Sequence, residues 1–424
     1  MSLSGKKVII FAGRIHYFLR LSSLGDAMKE AGMSVKMLTA DNCLNIDPST
    51  EYLIPSEVEF IHNLDYLKDI SSVTENTRLS LKRLFDGEVG TDVSTRLSSY
   101  VDPYMLAYSF REAEECLKSF RLILSEEAPD VVVVLHENSF WTKTLAYLCA
   151  EKDILCIAFQ EGLLRHRDQE THRKQTTSAE YVRYLLVWSE ESKRAYIDAG
   201  IDKEKLSVVG IPHLDSLFKI QQNKDSWEKL RLGVREGSGF GIAKPLVVFA
   251  PPILSRYEGD PVKAITEIVG WGTANYINIA ICLHPLEPRE NLDSVRVAIE
   301  NNKHTARVFM GSITLDLIAS SDLVITQHSS IGLESLALNI PTAILDFDNV
   351  GILESLADQG VALHIDKNNL SDLGNALNGL AVDVKTLHMP ERSTIDEWVS
   401  KNVGPRDGMT IPRILDIIGR SLNG

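Results

Sequence analysis

Residues 322–346 read DLVITQHSSIGLESLALNIPTAILD. The apolar run 323–326 is short enough for a strand, and the polar tetrad Gln327-His328-Ser329-Ser330 ends it. Leu333, Leu336 and Ala337 then recur at helical spacing. The helix must stop before Pro341, which cannot continue it, and a second apolar run follows at 342–345. Strand, helix and strand in immediate succession make a βαβ unit, whose strands are parallel and whose crossover is right-handed.

The same alternation extends outward in both directions. VVVVLH at 131–136 is apolar on both faces, as expected of a strand inside a parallel sheet covered on both sides. Further strands are expected at 7–11, 34–38, 154–160, 184–188 and 206–211, and then at 245–250, 277–283 and 306–310. Helical periodicity fills the gaps, most clearly at 104–127 and 142–152. The fold class is therefore α/β, with two doubly wound Rossmann-like domains facing a cleft. The first domain is expected over 1–218, with 42–102, rich in Ser, Thr and Asp, as an insertion or arm. A polar linker with one helix spans 219–244, the second domain 245–392, and C-terminal helices 393–424, with Pro412 in the first turn of the last one.

At 424 residues the chain is long enough for about two or three domains. The net charge of -14 makes it a poor general binder of polyanions, which sets nucleic acid aside. Its five cysteines form no CxxC pair, so they read as buried thiols of a reducing compartment. The opening MSLSGKKVIIF is too short in apolar residues for a signal peptide, and no run of about 18 apolar residues suggests a membrane span.

In open parallel sheets, ligands bind beyond the carboxyl ends of the strands. The residues there carry the chemistry. After the first strand, Gly13 permits a tight turn, and Arg14 and His16 stand ready to hold an anion or substrate. After the strand ending at Gln160, Glu161 precedes Gly162, and Arg165, His166 and Arg167 follow. A carboxylate at the tip of a buried strand can act as a general base, with Arg165 on the substrate; an ion pair with those arginines is the structural alternative. Pro285 ends the strand at 277–283 and leaves His284 at the cleft mouth, where an imidazolium would stabilise a departing phosphate. In the 322–346 stretch, one serine suffices to cap a helix. Ser329, Ser330 and His328 together exceed that need and form a candidate phosphate seat, with Glu334 one turn later as a candidate ribose acceptor or as a charge that simply favours the positive helix end. Pro252 follows the first strand of the second domain and would border the base or phosphate.

Gln160-Glu161-Gly162, then His284-Pro285, then Ser329-Ser330 resemble, in that order, the motifs of bacterial sialyltransferases and polysialyltransferases. More broadly the chain resembles GT-B glycosyltransferases, including capsule-export and surface-polymer transferases. Gln160 replaces the first acidic residue of the sialyltransferase pattern. EGLLR at 161–165 and LSVVGIPHLDSL at 206–217 also look like parts of the non-hydrolysing UDP-N-acetylglucosamine 2-epimerases. His328-Ser329-Ser330-Ile331 stands where those enzymes carry Asp-Ser-Gly-Gly, which argues against epimerisation.

The resemblance implies a glycosyltransferase that moves a sugar from a CMP-, UDP- or CDP-linked donor to a glycan, glycolipid or glycoprotein acceptor. It implies no cofactor and no metal, since no DxD-like motif stands at a strand end. The C-terminal domain would hold the nucleotide, Glu161 would deprotonate the acceptor, and the last helix would cross back to the first domain. Such an enzyme would work in the cytoplasm or at the inner face of a membrane, by peripheral contact. An epimerase-like enzyme and an inactive nucleotide-sugar-binding protein are the alternatives.

Overall fold

The computed structural model describes residues 3–12, 18–39, 59–62, 116–135, 140–160, 179, 181–251, 254, 261–284, 287–310, 313–327, 329–346, 356, 359–366 and 391–423. Two all-parallel sheets organise them. The first has the order β3-β2-β1-β4-β5-β6-β7. Its strands are β1 (Lys7–Ala12), β2 (Ser34–Thr39), β3 (Glu59–His62), β4 (Val131–Leu135), β5 (Leu155–Phe159), β6 (Tyr184–Val187) and β7 (Leu206–Val208). The second has the order β10-β9-β8-β11-β12-β13. It comprises β8 (Leu246–Ala250), β9 (Asn278–Leu283), β10 (Ala306–Met310), β11 (Leu323–Thr326), β12 (Thr342–Asp346) and β13 (Leu363–Asp366). Each sheet reverses its strand order once, between β1 and β4 and between β8 and β11. A crevice at the carboxyl ends opens at such a reversal.

Helices cover both faces, as parallel sheets require. In the first lobe these are α1 (Phe18–Glu30), α2 (116–127), α3 (Phe140–Glu151) and α4 (Glu190–Asp198). Then come α5 (Asp215–Gln221) and α6 (Lys224–Gly237), followed by α7 (Pro261–Ala274), α8 (Arg289–Ile299), α9 (Ile313–Ser320) and α10 (Ile331–Ala337) on the second sheet. The tail forms α11 (Arg392–Asn402) and α12 (Thr410–Asn423). Among the described residues no helix is long and apolar enough to cross a membrane.

Several elements depart from the sequence expectation. The strand expected over 206–211 ends at Val208, because Gly210 turns to φ +100 and Pro212 opens a 3-10 turn, Pro212–Leu214. The stretch 42–102 is not wholly an insertion: Glu59–His62 pairs with β2 as the sheet edge, Phe60 opposite Met37. Strand β13 was not anticipated. The expected linker, 219–244, carries its one helix as α6, preceded by the end of α5, but α6 is bound to the second sheet rather than free of it. Arg235 donates to Asp322 (2.8 Å) and to the Ser320 carbonyl, while the Leu246 N–H donates to the same carboxylate.

The lobes share an apolar cluster in which Trp188, Leu214 and Phe218 meet Leu333 and Leu336. The tail reinforces it. Ile414 and Ile418 of α12 are fully buried against the first lobe, in a cluster with Val8, Ile10 and Leu24. The Asp215 carboxylate accepts from the Ile411 N–H at 2.8 Å, capping α12 from a distant segment. Arg406 donates to the Ala337 carbonyl and to Asn339 Oδ1, holding the carboxyl end of α10.

Gly404 lies where this tail crosses Trp188. Its φ is +92, and an added Cβ would collide with the Trp188 carbonyl. Gly404→Ala is expected to cost about 3 kcal/mol of stability from strain and overpacking. Gly233→Ala, in an exposed helical position with nothing within 4 Å of an added Cβ, is expected to stabilise. Urea unfolding of both variants checks the contrast, and equal midpoints would remove the tight crossing.

Candidate functional site

The second sheet's reversal point lies between β8 and β11, and the residues following β11 build the site. The Thr326 hydroxyl donates to the Ala250 carbonyl (3.0 Å), tying the two strand tips together. Gln327 comes next and is 1% exposed, and neither end of its amide has a hydrogen-bond partner among the described residues. Ser329 and Ser330 have different duties. Ser329 Oγ accepts from the Ile331 N–H at 3.3 Å, a local turn bond at the start of α10. Ser330 occupies the N-cap but its side chain makes no capping bond. Its Oγ instead accepts from Arg20 Nη2 at 2.8 Å, across from the other lobe.

Glu334, one turn into α10, is 7% exposed. Its Oε1 is 3.2 Å from His213 Nε2 and 3.7 Å from Arg20 Nη2. An ionised carboxylate only accepts, so the imidazole carries its proton on Nε2. Burial pushes the Glu334 pKa up. The His213 hydrogen bond and the positive charges of His213 and Arg20 outweigh burial, and the pKa is lowered. Glu334, the candidate ribose acceptor, thus has one oxygen engaged by the first lobe.

Neither Arg20 nor His213 was singled out from the sequence. Arg20 follows Phe18 and Leu19 in α1, a cation amid apolar residues. His213 sits in the 3-10 turn that Gly210 and Pro212 create. Both line a small cavity with Leu135, Phe159, Gln160 and Trp188, at the carboxyl ends of β4, β5 and β6. It has room for about one water molecule. Gln160, 2% exposed, accepts from the Trp188 N–H at 3.0 Å. A neutral amide thus holds the tip of β6 without burying a charge there.

His284 directly follows β9 and is half-buried; its carbonyl accepts from the Glu287 N–H at 2.9 Å. Two strand spacings, about 10 Å, separate the tips of β9 and β11. Ser330 and Glu334 thus meet Arg20 and His213, Ser329 lies next to them in sequence with a local bond only, and His284 stands on the same carboxyl edge. Glu161, Gly13, Arg14, His16, Arg165, His328 and Pro252 lie outside the described residues. Among the described residues no three His, Cys, Asp or Glu side chains group as a metal site. The arrangement presents a guanidinium, an imidazole N–H, a hydroxyl and a buried carboxylate at one interlobe seam. That set can receive an anion and a neighbouring hydroxyl.

Because the folded-state pKa of Glu334 is depressed, its ionised form stabilises the fold above the unfolded value, near 4.5. That contribution is lost as pH falls through the folded value. Glu334→Gln should therefore be less stable than wild type near neutrality, with the gap narrowing below about pH 4.5. Melting temperatures of both proteins from pH 7 to about pH 3 test this. A gap that stays constant would mean that the carboxylate charge contributes nothing.

No protein-family model matches the chain, and no curated protein matches it in sequence. Solved structures match its fold over nearly the full length. UDP-GlcNAc 2-epimerase from Neisseria meningitidis, bound to UDP-GlcNAc, has a TM-score of 0.63 at 13% identity, covering 98% of this chain and 100% of that one. The MnaA–UDP structure from S. aureus gives 0.59 at 14%, covering 99% and 97%. The wall teichoic acid polymerase TagF gives 0.62 at 12%, covering 98% and 89%. At these identities the likeness shows the fold: two parallel sheets with flanking helices, an α/β architecture of the GT-B kind.

Proposed function

We propose that this chain binds a nucleotide-activated sugar between its lobes and transfers the sugar to an acceptor hydroxyl, as a glycosyltransferase. The observation that carries the reading is the seam itself. Ser330 and Glu334, at the carboxyl edge of the second sheet, face Arg20 and His213 from the first lobe. The nucleotide belongs on the second lobe, with Ser329, Ser330 and His328 on phosphate, Glu334 on ribose and Pro252 beside them. His284 stabilises the leaving phosphate, and Glu161 deprotonates the acceptor. Gly13, Arg14, His16 and Arg165 hold the acceptor side. The leaving group is neutralised by cationic side chains and backbone dipoles without a metal or cofactor.

The acceptor class follows from motif order, which resembles sialyltransferases and surface-polymer transferases, and from the fold shared with a teichoic acid polymerase. The enzyme would work in the cytoplasm, with peripheral access to a lipid-linked or growing glycan. A second reading, sugar-nucleotide epimerisation, is favoured by the likeness to UDP-GlcNAc 2-epimerases. Against it stands Ile331, preceded by two serines, in place of paired glycines.

Thermal shift against CMP, CDP, UDP and GDP should pick out one base, since binding to the folded state alone raises the melting temperature. The matching sugar nucleotide, offered with glycan acceptors in EDTA, should be consumed with transfer. Glu161→Ala should lower turnover by about a hundredfold or more while donor binding persists. Incubation with UDP-GlcNAc and no acceptor separates the readings: accumulation of the 2-epimer would replace transfer by epimerisation.

A further inference from the structure

We infer that Arg20 and His213 form an anion-binding pair whose occupant here is the protein's own Glu334 carboxylate, and that a ligand phosphate displaces it. The inference rests on the nucleotide-sugar reading and specifies how the first lobe takes part in it. The geometry has three parts. Arg20 comes from α1, His213 from the turn before α5 and Glu334 from α10, so the pair and its occupant belong to opposite lobes. His213 and Glu334 side chains are each 10% exposed, and Arg20 is 24% exposed. Arg20 Nη2 also reaches Ser330 Oγ at 2.8 Å. The cation is thus already directed at the serine proposed to meet phosphate.

A carboxylate in this position resembles one edge of a phosphate: planar oxygens, one negative charge, accepting from a guanidinium and an imidazole N–H. A diphosphate has more charge and more acceptor oxygens, and guanidinium matches it in a two-pronged way. It therefore outcompetes a side chain that reaches Arg20 only at 3.7 Å. Displacement has a second consequence. It releases Glu334 Oε1, so the carboxylate becomes available to hydroxyl groups of the same ligand. The cavity that Arg20 and His213 line has room for only about one water, too little for a phosphate, so a phosphate reaches the pair by taking the place of the carboxylate.

The test uses inorganic pyrophosphate, which has no ribose or sugar, with the full-length protein and isothermal calorimetry. Removing the internal competitor in Glu334→Gln should tighten pyrophosphate binding by about tenfold or more, because one negative charge leaves the immediate neighbourhood of the Arg20 guanidinium and the His213 N–H. Adding Arg20→Met to Glu334→Gln should abolish that gain. Equal affinity in wild type and Glu334→Gln, or a gain that survives Arg20→Met, would overturn the inference. Glu334→Ala serves as a second variant if Gln substitution impairs folding, and circular dichroism melting confirms the folded state of each. Nucleotide diphosphate binding to the wild type is measured in parallel. A wild type that binds UDP or CDP, with pyrophosphate affinity indifferent to Glu334, would sink the pair and leave the nucleotide-sugar reading standing. A wild type that binds no nucleotide, while Glu334→Gln gains pyrophosphate, would sink that reading and leave the anion pair.

Discussion

A carboxylate removed from water needs cations, and Glu334 finds them on the opposite lobe. It is almost fully buried, and desolvation alone would drive it to the neutral form. The His213 hydrogen bond and the Arg20 guanidinium keep it ionised. A single side chain therefore links the second sheet to the first at their carboxyl edges, where parallel sheets offer their ligand sites. The serine N-terminal to it extends the link, because Ser330 receives the same guanidinium.

That polar seam lies beside an apolar one. Trp188, Leu214 and Phe218 meet Leu333 and Leu336, so α10 carries polar residues on one face and core residues on the other. The tail then holds the assembly from behind. Arg406 binds the carboxyl end of α10, Gly404 passes close to the Trp188 backbone, and Ile414 and Ile418 fill the first lobe's core. Helix α10 is thus held at its first turn by Arg20 and at its last by Arg406. The proposed ligand groups stand on this same helix, between its two arginine anchors.

Much of the architecture was legible because parallel strands buried on both faces leave near-continuous apolar runs. VVVVL, LVVFA and LVIT, read as strands, are fully buried strands. The short edge strand at Glu59–His62 was missed, because an edge strand shows one face and no continuous run. The overlong reading of 206–211 failed at Gly210, where a left-handed turn interrupts an apolar stretch that continues in composition but not in conformation. In the site, two serines followed by Glu334 were readable from their place between a strand and a helix. Their division of labour was not: Ser329 serves the local turn, while Ser330 faces the other lobe.

The sequence by itself determined most of the periodic elements, their parallel direction and the polar residues at strand ends, because these depend on neighbours a few residues apart. Only the tertiary structure decided the partners. Arg20 and Ser330 are separated by 310 positions, and His213 and Glu334 by 121. No local pattern marks an arginine in the first helix, or a histidine after a glycine turn, as the counter-charge of a distant carboxylate. Coulomb attraction acts through space, and proximity in space is set by how two sheets, a linker and a returning tail close on one another.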